Sequence, residues 1–404
     1  MSRATSESSD AAQPSAAAET LGGAVMLAAA VAALIWANSP FASSYEAFFA
    51  HVSGFAFGGL ELRKSLSLWI NDALMAVFFL LVGLEIKREM LVGQLSSRER
   101  IALPAAAALG GMAFPALIFL AINRNDALSA RGWAVPCATD IAFSLAVLRL
   151  VSHRVPQSLR LFLTAVAVLD DIGAILIIAV FYTAELSITM LLAALVPILA
   201  LVALNRARVA SVIPYLIVGV VLWFCVLKGG IHPTIAGVIL ACAIPLRTKR
   251  GALLEKMEHR LQPWVVFIIL PLFALANAGV SLEGLGLSGV LQPVSLGIVL
   301  GLLFGKTFGI TLGVIASTVL RIGSRPPDAS WGQILGVAQL CGIGFTMSLL
   351  LAALSYDAAS MHLFQEAKLG VLVGSTLGAI AGVVVLLIAP ARKPAPISRH
   401  APRA

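Results

Sequence analysis

Charge is scarce in this chain. Asp, Glu, Lys and Arg make up 12% of its 404 residues against 59% hydrophobic residues. With a mean hydropathy of +0.96, that balance excludes a water-soluble globular domain. Cysteine is scarce too: Cys137, Cys225, Cys242 and Cys341 all lie in apolar runs without CxxC spacing, which argues against a disulfide framework or a thiolate metal site. Residues 1–20 lack a hydrophobic core and are rich in Ser and Ala, so a disordered tail is expected there rather than a cleaved signal peptide.

What remains is apolar sequence in repeated runs of roughly 20 residues, the length that crosses about 30 Å of hydrocarbon as helix. Backbone groups in lipid must be satisfied within their own segment, so these runs are helices. The expected fold is an all-α polytopic membrane protein with about twelve spans. They lie near 21–38, 67–88, 101–122, 133–151, 158–182, 187–204, 212–227, 231–246, 261–281, 295–319, 332–355 and 366–390, within one transporter domain over 21–391. Between the first two spans, 39–66 contains HVSGFAFGGLELRK, whose partial alternation and Gly-Gly signal predict a small extracytoplasmic hairpin. The net charge of +8 follows from the loops and does not call for nucleic acid. Sixteen Lys and Arg fall in loops on the side of the N-terminus and six on the other, which places both termini, including a tail at 392–404, in the cytoplasm.

Two spans are interrupted. The fourth carries Pro136-Cys137-Ala138-Thr139-Asp140, and the eleventh carries Cys341-Gly342-Ile343-Gly344-Phe345-Thr346. Each is the middle member of a three-span group, 101–182 and 295–390. The groups are offset by seven spans, an odd number, so they are inverted relative to each other. Paired interruptions of this kind, here centred on Gly342 and Gly344 in the second group, point to a transporter's midplane site.

The stretch LTAVAVLDDIGAILIIAV, Leu163 to Val180, holds Asp170 and Asp171 near its middle. An acid at mid-membrane costs about 2.5–3.5 kcal/mol on insertion scales. Two such acids call for a proton, a cation or a buried base. Neighbours on a helix differ by about 100° in direction, so one carboxylate faces a cavity while the other meets a partner helix. Thr139 and Asp140 add oxygen donors suited to a hard cation. Lys306, alone and deep in the tenth span, needs an acid, and Asp170 is its expected partner. Glycines at 297, 301, 305, 309 and 313, and at 370, 374, 378 and 382, form stripes read as helix packing. Glu85 and Glu89 share a face, and with Glu258 and His259, expected in the loop before the ninth span, they outline an acidic, titratable mouth. His232 and Asp72 are further polar candidates.

These residues resemble the NhaA family of bacterial Na⁺/H⁺ antiporters over essentially the whole chain after residue 20. The matching motifs are NDALMAVFFLLVGLEIKRE (71–89), ATDIAF (138–143), VLDDIGAI (168–175), GIHPTIAGV (230–238), PLFALANAGV (271–280) and CGIGFTMSL (341–349). That family is itself a standing example of inverted repeats with broken helices. The resemblance implies that spans 4 and 11 cross at Thr139 and Asp140, and that Asp170 and Asp171 bind Na⁺, with Asp171 the direct ligand. It also implies that Lys306 couples charge, and that Glu85, Glu258 and His259 line a pH-responsive funnel. The implied activity is electrogenic export of Na⁺ or Li⁺ against more protons, serving sodium and pH homeostasis at the bacterial inner membrane. A homodimer joined through the outer hairpin is implied as well. No cofactor or catalytic step is expected. The chain departs from the pattern at Gln262, before Pro263-Trp264, where family members can have His. An organic-solute symporter would need a larger polar cavity than the sequence displays. An intramembrane aspartyl protease would need a GxGD signature, which is absent.

Overall fold

The computed structural model describes residues 16–390 apart from 58–59, 184–185, 250 and 283–285. Helix α1 is Ala16–Ala37, starting inside the stretch expected as a tail; the rest of that stretch and the tail at 392–404 lie outside the described residues. Helix α2, Ala42–Ala50, precedes the antiparallel strands β1, Val52–Phe57, and β2, Leu60–Ser65. The hairpin expected between the first two spans is therefore present, with a short helix ahead of it.

Then follow α3 (Leu66–Leu91), α4 (Arg98–Asn123), α5 (Ala127–Cys137), α6 (Ile141–Leu150), α7 (Gln157–Phe181), α8 (Ile188–Arg206), α9 (Val212–Lys228) and α10 (Thr234–Ala243). The chain closes with α11 (Leu253–Asn277), α12 (Pro293–Val319), α13 (Trp331–Leu340), α14 (Phe345–Ser355) and α15 (Met361–Ile388). Among the described residues, eight helices are long and apolar enough to cross a membrane. The pairs α5/α6 and α13/α14 bend by 49° and 47°, and α9 and α10 are shorter apolar helices. These are the twelve segments expected from sequence. One boundary differs: Glu258 and His259 lie inside α11, whose first turns project as an amphipathic extension of the span rather than as a loop.

Short polar side chains start many of these helices. Ser65, Asp126, Asp140, Ser187 and Ser330 each accept a backbone N–H of the first turn, satisfying donors that lipid cannot. Three helices carry a π-turn, at Ile70–Leu74, Val265–Ile269 and Gly301–Gly305. The last of these immediately precedes Lys306.

The helices fall into two sets. A bundle is formed by α4, α5/α6 and α7 with α12, α13/α14 and α15; α4 packs on α7 and α12, and α15 on α12 and α13. A flanking panel pairs α3 with α10, α8 with α9, and α1 with α11. The glycine stripe of α12 meets α4: a Cβ on Gly309 would sit 2.1 Å from the carbonyl oxygen of Gly110, so only glycine permits this approach.

The two breaks cross in the centre of the bundle. The Asp140 N–H donates to the Ile343 carbonyl at 2.7 Å. Ser144 of α6 donates to the Leu340 carbonyl at the end of α13 (2.9 Å), and Ser348 of α14 donates to the Val135 carbonyl near the end of α5 (2.7 Å). Each second half-helix thus donates to a carbonyl at the other break, and the Leu340 carbonyl also takes the Ile343 N–H at 3.1 Å. The symmetry of the repeats is written in hydrogen bonds.

Candidate functional site

Asp170 and Asp171 sit mid-helix in α7, 1% and 2% exposed, facing the crossing. Their environments differ. Asp170 Oδ2 pairs with the Lys306 ammonium and accepts from the Thr139 hydroxyl at 2.7 Å. That hydroxyl has the Cys341 carbonyl at 2.8 Å as its alternative acceptor, and accepts from Lys306 Nζ at 3.0 Å. The other Asp170 oxygen, Oδ1, is buried without a partner. Asp171 has no hydrogen bond among the described residues and lines a cavity of about 1080 Å³.

Asp140 is held differently. Its Oδ1 accepts from Phe143 N at 3.0 Å, and its Oδ2 accepts from Thr346 N at 3.1 Å and from the Thr346 hydroxyl at 2.5 Å. One carboxylate therefore caps the starts of both α6 and α14, where the helix dipoles are positive. Thr346 stands two residues past Gly344, and that place in the sequence is the signal from which its role was open to reading. Gly342 is needed at the crossing, because a Cβ there would stand 2.3 Å from the Leu302 carbonyl.

The cavity runs from Asp140, Asp171 and Thr346 at its base to Glu85, Glu89, Glu255, Glu258, His259 and Gln262 at its mouth. Arg88 sits at that mouth with Nε 3.0 Å from Glu258 Oε2 and Nη1 2.8 Å from Glu89 Oε1. Sequence reasoning named the acids and missed this arginine, because a base beside helix-end acids looks like any loop charge.

His232 lies elsewhere, in the turn between α9 and α10 with Asp72 and Lys64. Its Nε2 is 3.7 Å from Asp72 Oδ1, and its Nδ1 is 2.8 Å from the Thr234 hydroxyl. Burial pushes its imidazole down to about 4, with the Lys64 charge acting in the same direction and the Asp72 carboxylate pulling up. Lys64 pairs with Asp72, and Trp223 Nε1 donates to the Asp72 carbonyl at 3.2 Å. This cluster stands at the hairpin end of α3, opposite the funnel mouth.

Three carboxylates against one ammonium at the crossing leave a site short of positive charge. The donors on offer are oxygens, and among the described residues no group of three or more His, Cys, Asp or Glu is arranged to hold a metal ion. Two carboxylates with hydroxyl and carbonyl oxygens can take a small hard cation or protons.

Comparison with known proteins agrees in kind. The family described as Na⁺/H⁺ antiporter 1 matches residues 14–386. A Na(+)/H(+) antiporter NhaA of Albidiferax ferrireducens is 52% identical over 372 residues, covering 91% of this chain and 95% of that one. An NhaA 2 of Pseudomonas syringae pv. syringae is 56% identical over 376 residues, covering 92% and 93%. An NhaA of Nitrobacter hamburgensis is 52% identical over 384 residues, covering 93% and 91%. With the crossed broken helices, the paired aspartates and relatives matched nearly end to end, this chain belongs to the NhaA family of Na⁺/H⁺ antiporters.

Proposed function

We propose that the protein exports Na⁺ or Li⁺ in exchange for protons by competition at Asp170 and Asp171. The observation that carries this is Asp171: buried at mid-helix, without a hydrogen bond among the described residues, and at the base of an open funnel. A carboxylate so placed must hold a proton or a cation before the site can be closed off from water. Asp170, neutralised by Lys306, is the second ligand. Its unpartnered Oδ1 is the oxygen left to turn toward a cation. Thr139 supplies a hydroxyl, and Asp140 holds the crossing together.

Access alternates when the bundle rocks against the panel. The occupied site crosses and the empty, doubly charged one does not, which couples the two fluxes. Glu85, Glu89, Glu258 and His259 at the funnel mouth set the local potential for cations and answer to pH. His232, neutral at ordinary pH, responds only in acid. The excess of Lys and Arg in the loops on the N-terminal side supports both termini lying in the cytoplasm of a bacterial inner-membrane protein, with the funnel open to that side. The hairpin at the far end joins two copies into a homodimer.

The test is proton movement in proteoliposomes after a sodium pulse with no organic solute present. Wild type is expected to move protons against the sodium gradient, and Asp171→Asn is expected to lose that movement while inserting normally. Exchange at the wild-type rate in the Asn variant overturns the site.

A further inference from the structure

The panel and the bundle meet again at the end of the molecule away from the funnel. Helix α11 has Glu255 and Glu258 at the funnel mouth and spans about 37 Å, so Gly279, just past its C-terminus, lies on the opposite side. The carbonyls at this end carry partial negative charge and lack helical partners. Tyr45 of α2 donates to the Leu275 carbonyl at 2.9 Å, with Ala276 O at 3.1 Å. Asn38, at the end of α1, donates to the Val280 carbonyl at 2.8 Å and accepts from Leu282 N at 2.7 Å. These bonds tie the segment 275–282 to its own panel.

The carbonyl of Gly279 is different. It accepts from Lys368 Nζ at 3.1 Å, and Lys368 belongs to α15 of the bundle. Its side chain is 6% exposed, with the ammonium 4.5 Å from the Phe364 ring centroid, and among the described residues no carboxylate is within ion-pair distance. A buried ammonium has three donors and normally an acid. This one has a helix-end carbonyl and a ring face.

Packing alone does not explain a lysine here, because Leu or Met would fill the space without stranding two donors. A boundary that must open does explain it. In the closed state the ammonium bridges bundle and panel; in the opened state water completes its shell. The two arrangements then differ little in free energy, as an alternating device needs. We propose that the Lys368–Gly279 hydrogen bond latches the far side shut while the funnel is open, and that the bundle rocks only after the ammonium leaves the carbonyl. This inference rests on the transport reading above.

Hydrogen–deuterium exchange in lipid nanodiscs, comparing wild type with Lys368→Met, tests it. Loss of the latch is expected to speed exchange about fivefold at 275–282 and 361–371, the worth of one ordinary hydrogen bond, and to slow it at 255–262 as the funnel closes. In proteoliposomes the apparent KM for Na⁺ is expected to fall on the far face and rise on the funnel face. Unchanged exchange at these segments overturns the latch, and so does a uniform rise over the whole chain. Should the Met variant fail to insert, Lys368→Leu, which likewise has no donor, is read by the same two patterns. The exchange pattern is read without transport: absence of sodium-driven proton movement in wild-type vesicles sinks the antiport reading separately.

Discussion

Lys306 is fully buried, and its ammonium rests on Asp170 and Thr139. Removing one member of a buried pair leaves the other charged in a dry site, which costs about 3–5 kcal/mol. Lys306→Ala is therefore expected to lower the melting temperature in detergent by several degrees, and an unchanged melting temperature counts against the pair. His232 gives a different signature. Its pKa of about 4 in the fold lies below the ordinary value of 6.5, so between those values the unfolded chain binds the extra proton. Stability from this group is whole above pH 6.5 and is lost as pH falls toward 4, by about 1.4 kcal/mol per pH unit inside the window. His232→Asn is expected to flatten the melting temperature between pH 7 and 5 relative to wild type; equal slopes would remove the burial argument. The aspartates and Lys306 were legible in the sequence because charge is so rare there that each mid-span instance demands a partner. Arg88 and Lys368 were not, since their importance comes from which backbone or acid the fold sets opposite them.

At the scale of elements, the apolar runs disclosed the twelve segments and the Pro and Gly interruptions disclosed both breaks. Hydropathy reads burial in lipid, so it was weakest where a helix leaves lipid. Helix α2, only nine residues long, lay hidden in the stretch before the hairpin, and α11 begins at Leu253, well ahead of its apolar run. The contact between α4 and α12 rests on glycines placed backbone to backbone. Gly309→Ala pushes a methyl to 2.1 Å from the Gly110 carbonyl oxygen, and overpacking of this kind costs about 1–3 kcal/mol. The variant is expected to melt earlier and to lose exchange activity along with stability, because the displaced α12 carries Lys306. Leu312→Ala, on an exposed face of the same helix, is expected to change little. A Gly309→Ala protein as stable and active as wild type would mean that the two helices meet loosely.

For the whole molecule the decisive quantity is charge per cycle. With Na⁺ between Asp170 and Asp171 and Lys306 protonated, the pair, the cation and the ammonium sum to zero; with a proton on Asp171 in place of Na⁺ they again sum to zero. One-for-one exchange through this site is then electroneutral. It becomes electrogenic only when Lys306 also gives up its proton as Na⁺ draws Asp170 away from it. In the proposed cycle the same Asp170 carboxylate would serve both partners, and among the described residues the ammonium's other contact is the Thr139 hydroxyl. On that step two protons would enter for each Na⁺ leaving, and one net charge would cross. A membrane potential of 100 mV contributes about 2.3 kcal/mol per charge, equivalent to about a fiftyfold sodium gradient. Proteoliposomes with a potassium–valinomycin potential, no pH gradient and labelled sodium measure it directly. Sodium is expected to accumulate on the positive-charge-receiving side's opposite face, with a ratio that climbs steeply with imposed voltage. A ratio indifferent to voltage would show that Lys306 keeps its proton throughout and serves only to hold Asp170 in place.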